Sequence, residues 1–220
     1  MQRPRGIDRQ TLIRFREDVR SGAFGGVYFA HRNPATGDIQ GFEQRWEKNG
    51  EKNKARFAKG GRKTVSVLGD PSTATRMVVF EGGLDALALA EIEGRGDTIY
   101  VSTGGGFGPL SEAALREHGR GKTVSSAFDN DAAGGLLDDK LRAIWPAAER
   151  LAPPSRIEGA MGVCKDWLDV LVTLKSIGID PQRMETGIDV PSEREIEPDP
   201  VDEDPADQPF PSADDGPSFW

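Results

Sequence analysis

Three stretches of this 220-residue chain place carboxylates at spacings that suit phosphate chemistry. In VVFEGGLDALALA, residues 78–90, an apolar run ends at Glu81, two glycines follow, and Asp85 stands four positions on. In AFDNDAAGG, residues 127–135, Asp129 and Asp131 flank Asn130 directly after another apolar run. In KDWLDVL, residues 165–171, Asp166 and Asp169 open a further element. Carboxylates a few ångströms apart disfavour one another's ionisation, so a gathered set needs a positive partner. Mg²⁺, with Mn²⁺ as a substitute, suits that need: it takes oxygen ligands, keeps several waters, and uses one or two carboxylates together with substrate phosphate. Calcium storage fits less well, because no loop carries alternating acids that end in a glutamate at the twelfth position. Strand, Gly-Gly, helix is also an ordinary tight turn, and one Asp-x-Asp is common in solvated loops. The conjunction of the two is what points to a site.

The elements that must position these acids read as a repeat. RMVVFE, TIYVST, TVSSAFD and SRIEGA are apolar β-type runs, and each is followed by a helical pattern. That alternation predicts an α/β fold with a parallel four-stranded sheet flanked by helices. Glu81, Asp129 and Asp131 then share the carboxyl edge, where open α/β sheets bind ligands. Asp166 and Asp169 follow the fourth run. Pro146 predicts a break in the third helix near Trp145. The front of the chain reads as a small α+β subdomain: a helix in IDRQTLIRFREDVRSG, then GVYFAHR and IQGFEQRW flanking the turn-rich NPATGD as a hairpin. The expected division is 1–70 for this basic subdomain, 71–180 for the α/β domain and 181–220 for a tail, with the first boundary near Gly69 to Thr75. The tail is rich in Pro and Asp, lacks periodic apolar residues and is expected to be disordered.

Charge separates the same three segments. Residues 1–75 carry 15 Lys/Arg against 8 Asp/Glu, a balance of +7; residues 76–180 carry 11 against 16, or −5; residues 181–220 carry 2 against 12, or −10. Lys54, Arg56, Lys59, Arg62 and Lys63, with Phe57 among them, form a basic stripe that either grips a nucleic-acid backbone or is a solvated loop. The tail, ending in Phe219 and Trp220, is a docking tip, a nucleic-acid mimic or a solubilising appendage. No apolar run approaches the roughly 20 residues a bilayer span needs, and the Arg-rich start lacks the apolar stretch of a signal peptide, so a cytoplasmic location is expected. With Cys164 as its one cysteine the chain has no disulfide framework and no Cys-x-x-Cys pair for structural zinc. Cys164 is expected to be a buried small residue, and His31 and His118 to be surface side chains.

FEGGLDA and FDNDAAG together resemble the Toprim family, the metal-binding catalytic domain of bacterial primases, topoisomerases, nucleases and recombination mediators. The resemblance covers residues 76 to about 178 and is similar to the primase branch of plasmids, phages and other mobile elements; VSTGGG and KDWLDVL match further segments of that branch. The resemblance implies that Glu81 is the general acid/base of phosphoryl transfer, with Asp85 as a further catalytic or metal-supporting acid. It implies that Glu81, Asp129, Asp131 and Asp166 hold Mg²⁺. It also implies a primase-like nucleotidyl transfer in replication or mobilisation of DNA, with a Toprim nuclease or a non-catalytic DNA-binding scaffold as alternatives. Single-stranded DNA, nucleotides and a helicase or relaxase are the implied partners, with no membrane. A basic subdomain precedes the core in that branch, which favours the nucleic-acid reading of the stripe. Gly104, Gly105 and Gly106 either let backbone amides approach a phosphate or simply permit a tight turn. The sequence carries no zinc ribbon and no helicase P-loop, and Tyr28 and Tyr100 lie in strand-like runs rather than where a DNA-linking tyrosine would be.

Overall fold

The computed structural model describes residues 6–22, 26–48 and 51–186, with the side chains of 47–54 and 184–186 excepted. The expected disordered tail therefore lies outside the described residues, apart from Pro181–Thr186, which form a 3-10 helix against the body of the protein. The front contributes α1 (Arg9–Arg14), β1 (Val19–Ser21), β2 (Val27–Arg32), β3 (Ile39–Lys48), β4 (Glu51–Phe57) and β5 (Val65–Leu68). Then come β6 (Arg76–Phe80), α2 (Gly83–Glu93), β7 (Thr98–Ser102), α3 (Pro109–His118), β8 (Thr123–Ser126), α4 (Ala132–Ile144), β9 (Glu149–Arg150) and α5 (Trp167–Ser176).

The nine strands among the described residues belong to one mixed sheet, in the order β4-β3-β2-β5-β7-β6-β8-β9, with β1 pairing the first half of β2. The part β7-β6-β8-β9 is parallel, as the strand-helix repeat predicts. The expectation of a four-stranded parallel sheet is corrected by what joins it: β5 pairs antiparallel with β7, and β2, β3, β4 and β1 extend that edge. A front read by itself gives no sign that its last strand completes the neighbouring sheet. The second correction concerns the fourth strand. SRIEGA is a loop with a left-handed Gly159 (φ 80°), and Ile157 plugs the core from it. The strand is instead Glu149–Arg150, too short to show an apolar run, and Leu151 N continues its pairing to Ser126 O at 2.7 Å. The front helix is also shorter than expected: it stops at Arg14, and Val19 enters β1 opposite Phe29.

The central strands are buried on both faces, as parallel strands between helices must be. Val78, Phe80 and Tyr100 face α2 and α5, whereas Met77, Val79, Ile99 and Val101 face the side that holds Leu115, Phe128 and Leu141. α2 is apolar nearly all round and buried nearly all round. It ends at Gly94, whose φ of 64° is the left-handed cap that glycine adopts without strain. α4 ends at Ile144, where Pro146 would have cost the helix a backbone donor, so the break near Trp145 is observed.

Candidate active site

Glu81 is the residue after β6, and its position is fixed through its own backbone. Ser102 Oγ donates to Glu81 O at 3.2 Å and Gly105 N donates to the same oxygen at 2.9 Å. Gly104, Gly105 and Gly106 all have positive φ (64°, 85° and 156°), which makes the turn that brings the Gly105 amide back to β6 available only to glycine. The Gly104 amide donates to Ser102 Oγ at 3.2 Å. Two of the three amides proposed to approach a phosphate are therefore engaged within the protein, and the run acts as the tight turn that holds Glu81.

The two glycines after Glu81 have a steric cause. A Cβ on Gly82 would lie 2.9 Å from Arg45 Nη2 and 3.2 Å from Asp85 Oδ2, and a Cβ on Gly83 would lie 2.6 Å from the Phe29 ring. The front of the chain thus packs directly onto the strand-to-helix turn. Asp85, in the first turn of α2, accepts from Leu168 N at 3.2 Å and so ties α2 to the start of α5.

Asp129 is the third residue after β8 and Asp131 is the N-cap of α4, its Oδ1 accepting from Gly134 N at 2.8 Å. Gly134 lets the helix sit against the loop, since a Cβ there would be 2.0 Å from Asp129 O. Asn130 N donates to Lys165 O at 2.8 Å, which binds this loop to the one leading into α5. Asp166 is the N-cap of α5 and accepts from Asp169 N at 2.7 Å, while Asp169 accepts in return from Lys165 N at 3.1 Å. Asp166 thus reaches the site from a helix N-terminus rather than from the end of a fourth strand.

These acids lie close enough to act on one another's charge. Burial first, then the Asp131 charge, pushes Glu81 up from its ordinary value, with Arg45 opposing. Burial, then Glu81, Asp166 and Asp131, pushes Asp129 up to about 7. Asp85 lies well above the ordinary carboxylate range, through burial and the charges of Asp166 and Asp129. One internal cation works against this repulsion. Burial disfavours the Arg45 charge, but Glu43, Asp85 and Glu81 outweigh burial and hold its pKa above the usual value. Arg45 Nε is bound by Glu43, a carboxylate 2% exposed that also lies 3.3 Å from Ser102 Oγ.

Sequence reasoning missed Glu43 and Arg45. The available signal was their i, i+2 spacing on the face of β3 that pairs with Val27 and Phe29, a charged pair on an otherwise inward face. The basic stripe is divided by the same alternation. Lys63 lies near the site: its ammonium is 5.3 Å from the Phe57 centroid, and its charge opposes the upward shift of Glu81. Arg56 points to the other face, Lys59 and Arg62 are exposed, and the side chain of Lys54 is outside the described residues. His31 is corrected from surface to core. It is fully buried under Gly104, edge-on to Phe57 at 4.9 Å, with neither ring nitrogen hydrogen-bonded in good geometry. Burial lowers its pKa to about 4, the Lys63 charge adds to this, and the adjacent Thr64 main chain opposes it. Cys164 is buried, as expected, and His118 is half-buried.

The donor set suits a hard cation, being all carboxylate and strongly self-repelling. Among the described residues no three His, Cys, Asp or Glu side chains are grouped so that they could together hold a metal ion. A site for Mg²⁺ does not require three, since that ion completes its shell with water and phosphate.

A family described as Toprim-like matches residues 78–171, the stretch that runs from β6 into α5. That match includes FEGGLDA and FDNDAAG, and this stretch is Toprim-like. Among solved structures, the primase fragment of the bacteriophage T7 primase-helicase protein is similar at a TM-score of 0.51 and 20% identity, over 82% of this chain and 71% of that chain. The RNA polymerase domain of Mycobacterium tuberculosis primase DnaG, in complex with a double-stranded DNA oligomer with a 6-nucleotide overhang, gives 0.45 and 18%, over 79% of this chain and 69% of that one. No curated protein matches the chain. Among the described residues no helix is long and apolar enough to cross a membrane.

Proposed function

We propose that this chain is a Mg²⁺-dependent nucleic-acid enzyme that carries out primase-like nucleotidyl transfer in the replication or mobilisation of DNA. The observation that carries the proposal is the gathering of Glu81, Asp85, Asp129, Asp131 and Asp166 at one sheet edge within a Toprim-like stretch, the pKa of Glu81, Asp85 and Asp129 being raised by burial first and by neighbouring acids second. Asp129 and Asp131 would hold the metal, with Glu81 and Asp166 completing its protein ligands. When bound, the ion neutralises charge that develops on the transferred phosphoryl group and fixes the in-line approach of the two oxygens.

The chain's own residues do the rest. Glu81, its pKa raised by burial, would accept the proton of the attacking hydroxyl as the new P–O bond forms and give it to the departing pyrophosphate as the old one breaks. Asp85 holds the α5 terminus, and hence Asp166, against the site. Glu43 orients Arg45 among the acids, and Lys63 adds positive charge beside Glu81. Nucleotides and single-stranded DNA are the proposed partners, with a helicase or relaxase as the machinery that delivers template.

The test is to incubate the full chain with a single-stranded template, nucleotides and Mg²⁺ or Mn²⁺. Template-dependent product that Glu81→Gln reduces at least a hundredfold supports the proposal. No product with wild type, or equal product from the variant, rejects it; nicking of DNA without nucleotides assigns the site to hydrolysis instead.

A further inference from the structure

Strand alternation gives the front sheet two chemically different faces. The inward positions, Val27, Phe29, His31, Glu43 and Arg45, supply core and site. The outward positions of the same strands are Arg20, Tyr28, Ala30, Arg32, Gln40, Phe42, Gln44, Trp46 and Arg56, as the pairings Arg20↔Tyr28, Tyr28↔Gln44, Ala30↔Phe42 and Gln44↔Arg56 require. Among the described side chains of this face none is an acid. Three are aromatic, and Phe42 is 38% exposed.

The aromatics are set as a platform rather than scattered. Tyr28 and Phe42 meet edge to face, their centroids 5.3 Å apart at 60°. The Arg56 guanidinium lies 5.4 Å from the centroid of the Trp46 ring. Phe42 and Trp46 are four residues apart on β3, a separation of about 13 Å along an extended strand, enough for more than one base. Arg32, at the rim, is held by Gly37 O at 2.9 Å, and Arg20 by the carbonyl of Arg16 with Glu17 at 3.7 Å.

We propose that this outward face of β1-β2-β3-β4 is a second nucleic-acid surface that takes single-stranded DNA or RNA by base stacking. Sequence-tolerant binders of single strands combine aromatic platforms with flanking cations, because every base has a π face and every nucleotide a negative phosphate. A duplex keeps its bases stacked internally and cannot use the aromatics. The face lies on the other side of the sheet from Glu81 and Arg45, so it holds strand that is outside the reaction, before entry or after exit. Binding needs neither metal nor nucleotide, and the inference stands or falls apart from the catalytic reading.

The experiment is fluorescence anisotropy of a labelled 12-nucleotide oligothymidylate with the full chain in EDTA. Trp46→Ala and Phe42→Ala should each weaken binding about tenfold, and Arg56→Gln should reduce the slope of log affinity against log salt by about one. Trp46→Phe should bind as wild type does. In wild type the oligonucleotide should quench tryptophan emission, and Trp46→Phe should remove most of that quenching, a readout that survives even if the alanine variants fold poorly. Equal affinity across Trp46→Ala, Phe42→Ala and wild type, or absence of binding by wild type, overturns the proposal. So does sedimentation showing a dimer that Trp46→Ala dissociates and oligonucleotide does not, which would make the face an interface between copies.

Discussion

At Arg45 a single side chain decides how far the acids tolerate one another without metal. Its guanidinium, 21% exposed, is the cation that opposes the raised pKa of Glu81, Asp85 and Asp129 at once. Removing one member of a buried charged constellation leaves the others uncompensated, so Arg45→Met should lower the stability of metal-free protein by about 3 kcal/mol. Urea unfolding in EDTA measures this, and Mg²⁺ should recover part of the loss in Arg45→Met because a second cation takes up the same role. Asp129 gives a pH dependence with a definite sign. Its folded pKa, about 7, exceeds its ordinary 3.8, so the folded state holds the proton more tightly than the unfolded chain does. Its contribution is therefore favourable below about pH 4 and is lost as pH rises toward and through 7. In EDTA the difference in Tm between Asp129→Asn and wild type should widen, in favour of the variant, across that interval; a constant difference would contradict the assigned environment. The acids themselves were legible in the sequence, because their position after apolar runs is local. Arg45 and Glu43 were not, because the acids and the Ser102 hydroxyl they meet lie far along the chain, 59 residues for Ser102 and Glu43, and nothing in GFEQRW marks one face as facing a site.

Among the elements, the turn from β6 into α2 is where front and middle meet most tightly. Gly83 has no room for a methyl group, with the Phe29 ring 2.6 Å from where a Cβ would stand. Gly83→Ala should therefore destabilise the protein by about 1–3 kcal/mol through overpacking, without touching an acid. Phe29→Leu in the same chain should restore part of that loss, and a double-mutant cycle on thermal or urea unfolding reads the coupling. If the two substitutions simply add, the contact is not what excludes the methyl group. The glycines were visible in the sequence as a turn, but their cause lay in a strand some fifty residues earlier. The four parallel elements were legible to the extent that burial wrote apolar runs into them. β9 was not, since two residues with Glu149 exposed carry no such run, and Ile157 in SRIEGA advertised a strand while serving as a plug from a loop.

Over the whole molecule, the question is whether the front is separable from the Toprim-like part. The expected boundary near Gly69 to Thr75 falls on the connection between β5 and β6, and the sheet continues across it through Ser66↔Ser102, Val67↔Val101 and Leu68↔Tyr100. Ile7, Phe15, Val19, Val27, Phe29 and Leu68 all belong to the cluster that buries α2 and α5. Polar contacts span the same distance: Lys175 on α5 binds Glu91 and lies 3.0 Å from Asp8, and Thr11 Oγ1 donates to Glu91 at 2.8 Å. A chain starting at residue 71 would leave one edge of β7 unpaired, a template for association, and would expose the apolar face of α2. Full-length protein should then unfold in one transition by circular dichroism and fluorescence together, whereas the fragment 71–186 should bind a hydrophobic dye and self-associate. A monomeric fragment that unfolds reversibly at the temperature of the full chain would instead make the front an independent domain, and Arg45 would reach the acids across an interface that the Toprim-like part does not need for its own stability.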